Sequence, residues 1–306
     1  MTATQHAEPL AKINLPMLIE RFGNEDKCRA YLEGLRWPDG VECPRCESRK
    51  ISRIVKRNQF ECDSCRYQFS VRVGSVFQDS KLPLWKWFLA TYLICESKKG
   101  ISANQLKRTL GVSYETAWYL CHRIRSAMTQ DETPLTGTVE VDETYIGGKV
   151  RGKGRGIYAG GNKTMVLGAV ERGGRIRLKA GGRSTSANLQ GFVKEVVSDD
   201  AEAIYTDEAH GYGDLSDHNT KHERVTHGQD EWVRGSVHTN TVESAWSLFD
   251  RGVIGSYHKL SRKHLPAYLD EFAFRFNNRS NQFLFRDTLL RLVDAEALTF
   301  KKLVRG

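Results

Sequence analysis

The sequence predicts a multidomain protein of the α+β or α/β class, and three features of the chain support this prediction. Two Cys-x-x-Cys pairs lie near the N-terminus, helical patterns follow from about residue 80, and mixed strand and helix patterns begin near residue 135. At 306 residues the chain is too long for one small core, so two or three compact units are expected. The predicted segments are 15–75, 80–130, 135–280 and 281–306.

Composition and charge narrow the classes of partner. Hydrophobic residues make up 40% of the chain and charged residues 27%, and no apolar stretch is long enough to span a bilayer, so no membrane partner is expected. The N-terminus has no basic-then-apolar signal pattern, so a cytoplasmic location is expected. A net charge of +9 attracts polyanions such as nucleic acids without specifying any sequence.

The first segment contains four cysteines with the spacing of a two-knuckle zinc site. Fifteen residues separate the two pairs, which consist of Cys43, Cys46, Cys62 and Cys65. Four thiolates suit a closed structural Zn²⁺ site, and without an export signal metal binding is favoured over disulfides. We therefore predict a zinc ribbon preceded by a helix. The basic and aromatic residues around it favour a nucleic-acid surface, with a protein-contact module as the alternative.

The second segment carries two helices with a sharp turn between them. A capping-box pattern at Ser102 begins a helix that Gly111 ends, and a second helix runs from Ser113 to about Met128. This pattern is typical of a helix-turn-helix, whose second helix enters the major groove of DNA. A helical hairpin that only links domains is the alternative. The residues expected to contact DNA are Ser113, Tyr114, Thr116, Arg123 and Arg125.

Three acidic residues in the third segment lie within or beside apolar elements, where a carboxylate must be solvated, paired with a cation or bound to a metal ion. Asp142 lies within a predicted strand, Asp207 at the C-terminal end of another, and Glu243 on a predicted helix at the edge of its apolar stripe. Thirty-five residues separate Asp207 from Glu243. Carboxylates are the hard oxygen ligands that hold Mg²⁺ or Mn²⁺, and a pair of such ions promotes phosphodiester chemistry.

Neighbouring residues leave the ligand set open. Strand alternation places Glu140 on the same face as Asp142, so Glu140 is an alternative ligand, and it places Glu143 on the opposite face. Asn240 lies three residues before Glu243 on the same helical face. We expect Asn240 either to bind metal or to support the metal-binding carboxylates.

Basic residues accompany the acidic ones. A Gly-rich basic loop follows the first of these strands, and a second basic cluster follows the helix of Glu243. Glycines let the backbone approach phosphates closely, and the cations would contact the DNA backbone. A flexible solvated loop is the alternative. The predicted contacts are Lys149, Arg151, Lys153, Arg155, Lys259, Arg262 and Lys263.

These motifs in combination resemble the zinc-ribbon insertion-sequence transposases of bacteria, the ISXO-like group, over about residues 15–280. They include Val-Asp-Glu-Thr-Tyr-Ile-Gly-Gly-Lys (141–149), Thr-Asp-Glu (206–208) and His-Thr-Asn-Thr-Val-Glu (238–243). The resemblance implies an RNase H-like catalytic domain with a mixed five-stranded sheet and flanking helices. It also implies that Asp142 bridges two catalytic ions, Mg²⁺ or Mn²⁺, while Asp207 and Glu243 each bind one.

The function that the resemblance implies is DNA transposition. The enzyme would bind double-stranded element ends, expose their 3′-hydroxyls and join these to target DNA, acting as a homodimer or larger oligomer associated with the nucleoid. The alternatives are an inactive or domesticated DNA-binding relative, and a structure-selective nuclease without strand transfer. The tail from 281 to 306 is predicted to hold one amphipathic helix, Leu284 to Leu298, without evident chemistry.

Overall fold

The computed structural model describes residues 11–147, 163–207, 210–213, 215, 220–225 and 237–305. Contacts divide the chain into two compact units. One unit combines the described residues up to Met128 with those from Ser280 onward, and the other is Thr129–Arg279. By its contacts, the C-terminal segment therefore belongs with the N-terminal residues.

The first unit begins with two short helices and a three-stranded ribbon. Helices α1 (Leu15–Phe22) and α2 (Glu25–Arg36) each start at an asparagine whose side chain accepts a hydrogen bond from a first-turn amide. The antiparallel ribbon that follows has the order β1 (Ile51–Ile54), β2 (Gln59–Cys62) and β3 (Gln68–Phe69). In its small core, cysteines pack beside aromatic rings such as those of Phe60 and Phe69. Because so few residues are buried, metal binding is expected to contribute much of the folding free energy of the ribbon.

Three helices follow: α3 (Leu84–Glu96), α4 (Ala103–Leu110) and α5 (Tyr114–Arg125). As predicted, the Ser102 hydroxyl caps α4, and α4 ends at Gly111 in the left-handed conformation with φ +60°. The Ser113 hydroxyl caps α5 by accepting a hydrogen bond from the Thr116 amide at 3.1 Å. Both helices bury apolar residues, namely Leu106, Leu110, Ala117, Leu120 and Ile124.

The second unit is built on a mixed five-stranded sheet, which confirms the predicted α+β class. The strands are β4 (Thr138–Ile146), β5 (Thr164–Glu171), β6 (Ile176–Ala180), β7 (Ala203–Thr206) and β8 (Lys221–Arg224). Their order is β6-β5-β4-β7-β8. Strands β4, β5 and β6 pair antiparallel, whereas β7 and β8 continue the sheet parallel to β4.

Helices cover both faces of this sheet. Helix α6 (Ser186–Val196) encloses one apolar core, and helices α7 (Asn240–Gly252) and α8 (Leu265–Asn277) enclose the other. A π-helical turn, Val253–Tyr257, continues α7. Because β4 is the central strand, its side chains reach both cores, and a polar residue on β4 lies beside packed elements on either face.

The C-terminal residues form two helices, α9 (Leu284–Asp294) and α10 (Phe300–Arg305), where the sequence predicts one. The chain leaves α9 at Ala295, which adopts an extended conformation. The Leu298 carbonyl then accepts a hydrogen bond from the Tyr119 hydroxyl at 2.5 Å, so this segment is held by α5 instead of continuing the helix. None of the described helices is long and apolar enough to cross a membrane.

Candidate functional site

The four predicted zinc ligands converge in the ribbon. Their sulfur atoms all lie within 4.8 Å of one another. The Sγ atoms of Cys43 and Cys65 are 3.7 Å apart, and those of Cys46 and Cys62 are 3.5 Å apart. A tetrahedral site with Zn–S bonds of about 2.3 Å has S–S edges of about 3.8 Å, so the cluster fits a Zn²⁺ ion.

The two cysteine pairs are held by the same local geometry. The amide of Glu47 donates to the Cys43 carbonyl at 2.9 Å, and the amide of Arg66 donates to the Cys62 carbonyl at 2.8 Å. Glu47 and Arg66, each directly after the second cysteine of its pair, have φ values of +59° and +58°. This repeated turn directs both sulfur atoms of each pair to one point, as a two-knuckle site requires.

An acidic cluster lies at the centre of the second unit's sheet. Strands β4 and β7 are parallel neighbours in which Val141 pairs with Thr206, so Asp142 and Asp207 are adjacent at the next position. Carboxylate oxygens of Asp142, Glu143 and Asp207 lie within 4.8 Å of one another. The structure thus brings together the two aspartates that the sequence singles out, and adds a third carboxylate to them.

Helix α7 contacts Asp142 directly. The Trp246 indole donates a hydrogen bond from Nε1 to Oδ2 of Asp142 at 3.0 Å. The ring can lie close to the sheet because Gly168 is opposite Asp142 on β5, where a Cβ atom would be only 2.5 Å from the Trp246 ring. Burial raises the pKa of Asp142 to about 7, with the negative charge of Asp207 as a further cause.

Glu143 lies on the face of β4 that alternation predicts, because its partner Tyr212 packs in the same core as Val139 and Val141. The Tyr212 hydroxyl, from the turn after β7, donates to Oε2 of Glu143 at 2.7 Å. Burial raises the pKa of Glu143 and also that of Tyr212. Alternation disfavoured Glu143 as a metal ligand, yet a carboxylate oxygen of Glu143 lies within 4.8 Å of those of Asp142 and Asp207. In the sequence, only its position next to Asp142 indicates that it belongs to this cluster.

Glu243 and Asn240 lie in the first turn of α7, and both are exposed. The Thr239 hydroxyl donates to Oε1 of Glu243 at 2.8 Å. Glu243 lies one turn before Trp246, which touches Asp142, so both side chains belong to the same stretch of helix. Among the described residues, the carboxylates grouped within 4.8 Å do not include Glu243.

The predicted DNA contacts of the second unit are exposed where the structure describes them. Lys259, Arg262 and Lys263 all lie at the surface. Arg262 donates from Nε to the Thr164 hydroxyl at 3.2 Å, beside an open cavity of about 240 Å³ that Lys163 also lines. The loop contacts lie outside the described residues, namely Lys149, Arg151, Lys153 and Arg155.

The predicted contacts on α5 divide into two groups. Ser113 and Tyr114 are exposed and Thr116 is half-buried, although the Ser113 hydroxyl also serves as the helix cap. Arg123 and Arg125, by contrast, are only 4% and 2% exposed, so the expectation that they contact phosphates is wrong for this structure.

Arg123 has an internal role that explains its burial. Its guanidinium donates to the backbone carbonyls of Val76 and Gln78 and lies 5.0 Å from the ring centre of Trp87. Burial lowers its pKa. The segment before α3 thus occupies the side of α5 that the prediction had assigned to DNA.

Comparison with known proteins agrees with this arrangement. Residues 134–277 match the family described as ISXO2-like transposase domain, and residues 23–68 match the transposase zinc-ribbon domain. The chain is 30% identical over 277 residues to an uncharacterized protein in transposable element ISH50 of Halobacterium salinarum. The aligned region covers 85% of this chain and 93% of the relative. The chain therefore belongs to the zinc-ribbon, ISXO2-like family of transposases.

Proposed function

We propose that this protein is a DNA transposase that exposes the 3′-hydroxyls at the ends of its insertion sequence and joins them to target DNA. The observation that carries the proposal is the convergence of Asp142 and Asp207 on adjacent parallel strands, in a chain of a transposase family. The strand order β6-β5-β4-β7-β8, with helices on both faces, supports an RNase H-like fold for this unit.

The acidic cluster fits divalent metal ions. Its carboxylate oxygens lie within 4.8 Å of one another, and burial, followed by the negative charge of Asp207, raises the pKa of Asp142. We assign Asp142, Asp207 and Glu243 as the residues that would hold the ions, with Glu143 as a further oxygen donor and Asn240 as support. Bound Mg²⁺ or Mn²⁺ ions would activate the attacking oxygen and stabilise the leaving oxygen.

This chain's own residues hold the carboxylates in place. Trp246 orients Asp142 through its indole N–H, Tyr212 orients Glu143 and Thr239 orients Glu243, each through one hydrogen bond. Carboxylates that are fixed before an ion arrives lose less conformational freedom on binding it, which favours tight and specific coordination.

Double-stranded DNA is the proposed partner of both units. We assign α4 and α5 as a helix-turn-helix in which the start of α5, with Ser113 and Tyr114 exposed and Thr116 half-buried, enters the major groove. Helix α10 lies against α5, since Phe300 packs 5.4 Å from the ring of Tyr119. In place of Arg123 and Arg125, we assign the phosphate contacts of this surface to the exposed cations of α10, namely Lys301, Lys302 and Arg305.

A strand-transfer assay tests the proposed function. It uses the full-length protein, its own element-end DNA and Mg²⁺ or Mn²⁺, and compares Asp142→Ala and Glu243→Ala with Asp200→Ala, which removes an exposed acid from a turn. We expect joined products from the native protein and the Asp200 variant only. Cutting without joining indicates a nuclease, and binding without cutting indicates an inactive DNA-binding relative.

The same reactions report on assembly. Joining two element ends to one target requires both ends to be held together, so we propose a homodimer or larger oligomer on DNA. Measurement of the mass of the complex by light scattering tests this, and one chain per pair of ends would contradict it.

A further inference from the structure

Glu140 lies on β4 two residues before Asp142, and its carboxylate is fully buried. Four hydrogen bonds reach it, and His238 Nδ1 also lies 3.2 Å from its Oε1. Oε1 accepts from Arg172 Nε at 2.6 Å and from the Thr241 hydroxyl at 2.9 Å, while Oε2 accepts from the amides of Thr241 at 2.7 Å and Val242 at 3.1 Å. A carboxylate offers about four lone-pair positions, so these bonds use its full capacity, and Glu140 is not available as a metal ligand.

The two amides that Glu140 accepts belong to the first turn of α7. Such amides have no partner within their own helix and are usually satisfied by the side chain of the residue at the helix cap. The cap residue here, Thr239, makes no side-chain bond to the amides of α7. A carboxylate from a neighbouring strand takes that place, and its negative charge also suits the positive end of the helix dipole.

This arrangement leaves the Thr239 hydroxyl to donate to Glu243 instead of capping the helix. One turn further on, Trp246 donates to Asp142. Helix α7 is therefore fastened to β4 at two points, Glu140 and Asp142, which share one face of the strand. Glu243 lies between these two points along the helix.

Arg172, the residue directly after β5, balances the buried charge of Glu140. Its guanidinium also donates to the His238 carbonyl at 3.0 Å and lies 4.8 Å from the ring centre of Tyr205 on β7. The same ion pair thus connects β4, β5, β7 and the residues that lead into α7.

We propose that Glu140 is a positioning residue that caps α7 from β4 and so fixes where Glu243 lies relative to Asp142. The inference rests on the proposed metal-dependent function of these two acids. Loss of the cap displaces the start of α7 while leaving Asp142, Asp207 and the zinc ribbon in place.

Glu140→Gln is the direct test, because it preserves size but replaces one accepting oxygen with an NH₂ group that faces donors. Glu271→Gln is the matched control. Glu271 is also fully buried, pairs with Arg275 at 3.3 Å and accepts a hydroxyl hydrogen bond from Tyr257 at 2.6 Å, but it lies on α8. Both variants remove one charge of a buried ion pair, so both are expected to lower Tm.

Two measurements separate positioning from general destabilisation. Hydrogen exchange followed by mass spectrometry should show faster exchange over residues 239–246 in Glu140→Gln and not in Glu271→Gln. Strand transfer at saturating DNA, at a temperature where both variants are folded, should fall about 10-fold or more only in Glu140→Gln. Equal exchange and equal joining in the two variants would overturn the inference.

Thr241→Val covers the case in which Glu140→Gln does not fold, since it removes one hydroxyl donor and keeps the charge. It should also accelerate exchange at 239–246 and reduce joining, and native values for both would overturn the inference. A native protein that joins no DNA contradicts the proposed function instead, and hydrogen exchange then still decides whether Glu140 caps α7.

Discussion

Replacement of Gly168 by alanine perturbs the contact between α7 and β4 without changing any charged group. The new Cβ atom would lie 2.5 and 2.7 Å from two carbons of the Trp246 ring and 3.2 Å from Leu178. The indole must therefore move away from the sheet. Because its Nε1 holds Asp142 at 3.0 Å, that hydrogen bond is lost or lengthened as the ring moves.

The magnitude follows from the packing. Overfilling a well-packed core costs about 1–3 kcal/mol in the free energy of unfolding. For a unit of this size each kcal/mol corresponds to a fall in Tm of about 2–4 °C. Loss of the hydrogen bond to Asp142 costs about a further 1 kcal/mol, because the raised pKa keeps much of this carboxyl group neutral. Joining should fall more than Tm alone explains, because Asp142 loses the group that orients it.

The assay combines differential scanning calorimetry with strand transfer for Gly168→Ala, Trp246→Phe and the double variant. Phenylalanine is smaller, so it should relieve the clash and make the two stability changes clearly non-additive. Gly191→Ala is the control, since its Cβ meets nothing within 4 Å and alanine favours helix α6 by about 0.5–1 kcal/mol. The reasoning is refuted if Gly168→Ala is as stable and active as Gly191→Ala, or if the double variant is simply additive.

Three further predictions follow from the described sites. Cys62→Ser should remove one of four zinc ligands and unfold the ribbon. Atomic absorption should then show loss of bound zinc, and calorimetry should show loss of the first unit's thermal transition. Retention of one zinc per chain contradicts this prediction. The pKa of Asp142 is about 7 instead of 3.8, so its charged form is disfavoured in the metal-free folded protein, which should lose stability as pH rises from about 4 to 7. Added Mn²⁺ should remove that loss of stability in thermal scans, and Asp142→Asn should make Tm less dependent on pH over this range. If Tm of the variant depends on pH as in the native protein, another group causes the pH dependence. Arg123→Ala should lower Tm but leave the salt dependence of DNA binding unchanged, whereas Lys302→Ala should reduce the slope of log K against log salt by about 0.9; the reverse pattern contradicts the burial argument.

Sequence patterns predicted most elements of the second unit because most of its strands and helices have a strong local signal, whereas the short polar strand β8 was not predicted. The alternation around Asp142 and the apolar stripe of α7 each arise within a few neighbouring residues. The split between α9 and α10 was not predicted, because it depends on a hydrogen bond from Tyr119, far away in the chain.

For the candidate site, the sequence indicated the acidic residues but not the role of each neighbouring carboxylate. The order of Asp142, Asp207 and Glu243 indicates a metal-binding acid set, and parallel pairing of β4 with β7 brings the two aspartates together. Alternation alone could not separate a ligand from a structural carboxylate at position 140, because that depends on where α7 packs. The same limit explains the error for Arg123, whose carbonyl partners precede it by 45 and 47 residues.

The central claim is that Asp142 and Asp207 hold the divalent ions that drive DNA joining. Asp207→Cys tests it most directly, because a thiolate binds Mg²⁺ poorly and accepts softer ions such as Mn²⁺ more readily. We predict that this variant joins no element ends with Mg²⁺ and regains measurable joining with Mn²⁺, while Asp200→Cys behaves as the native protein with both ions. Joining by Asp207→Cys at the native rate with Mg²⁺ would contradict the claim.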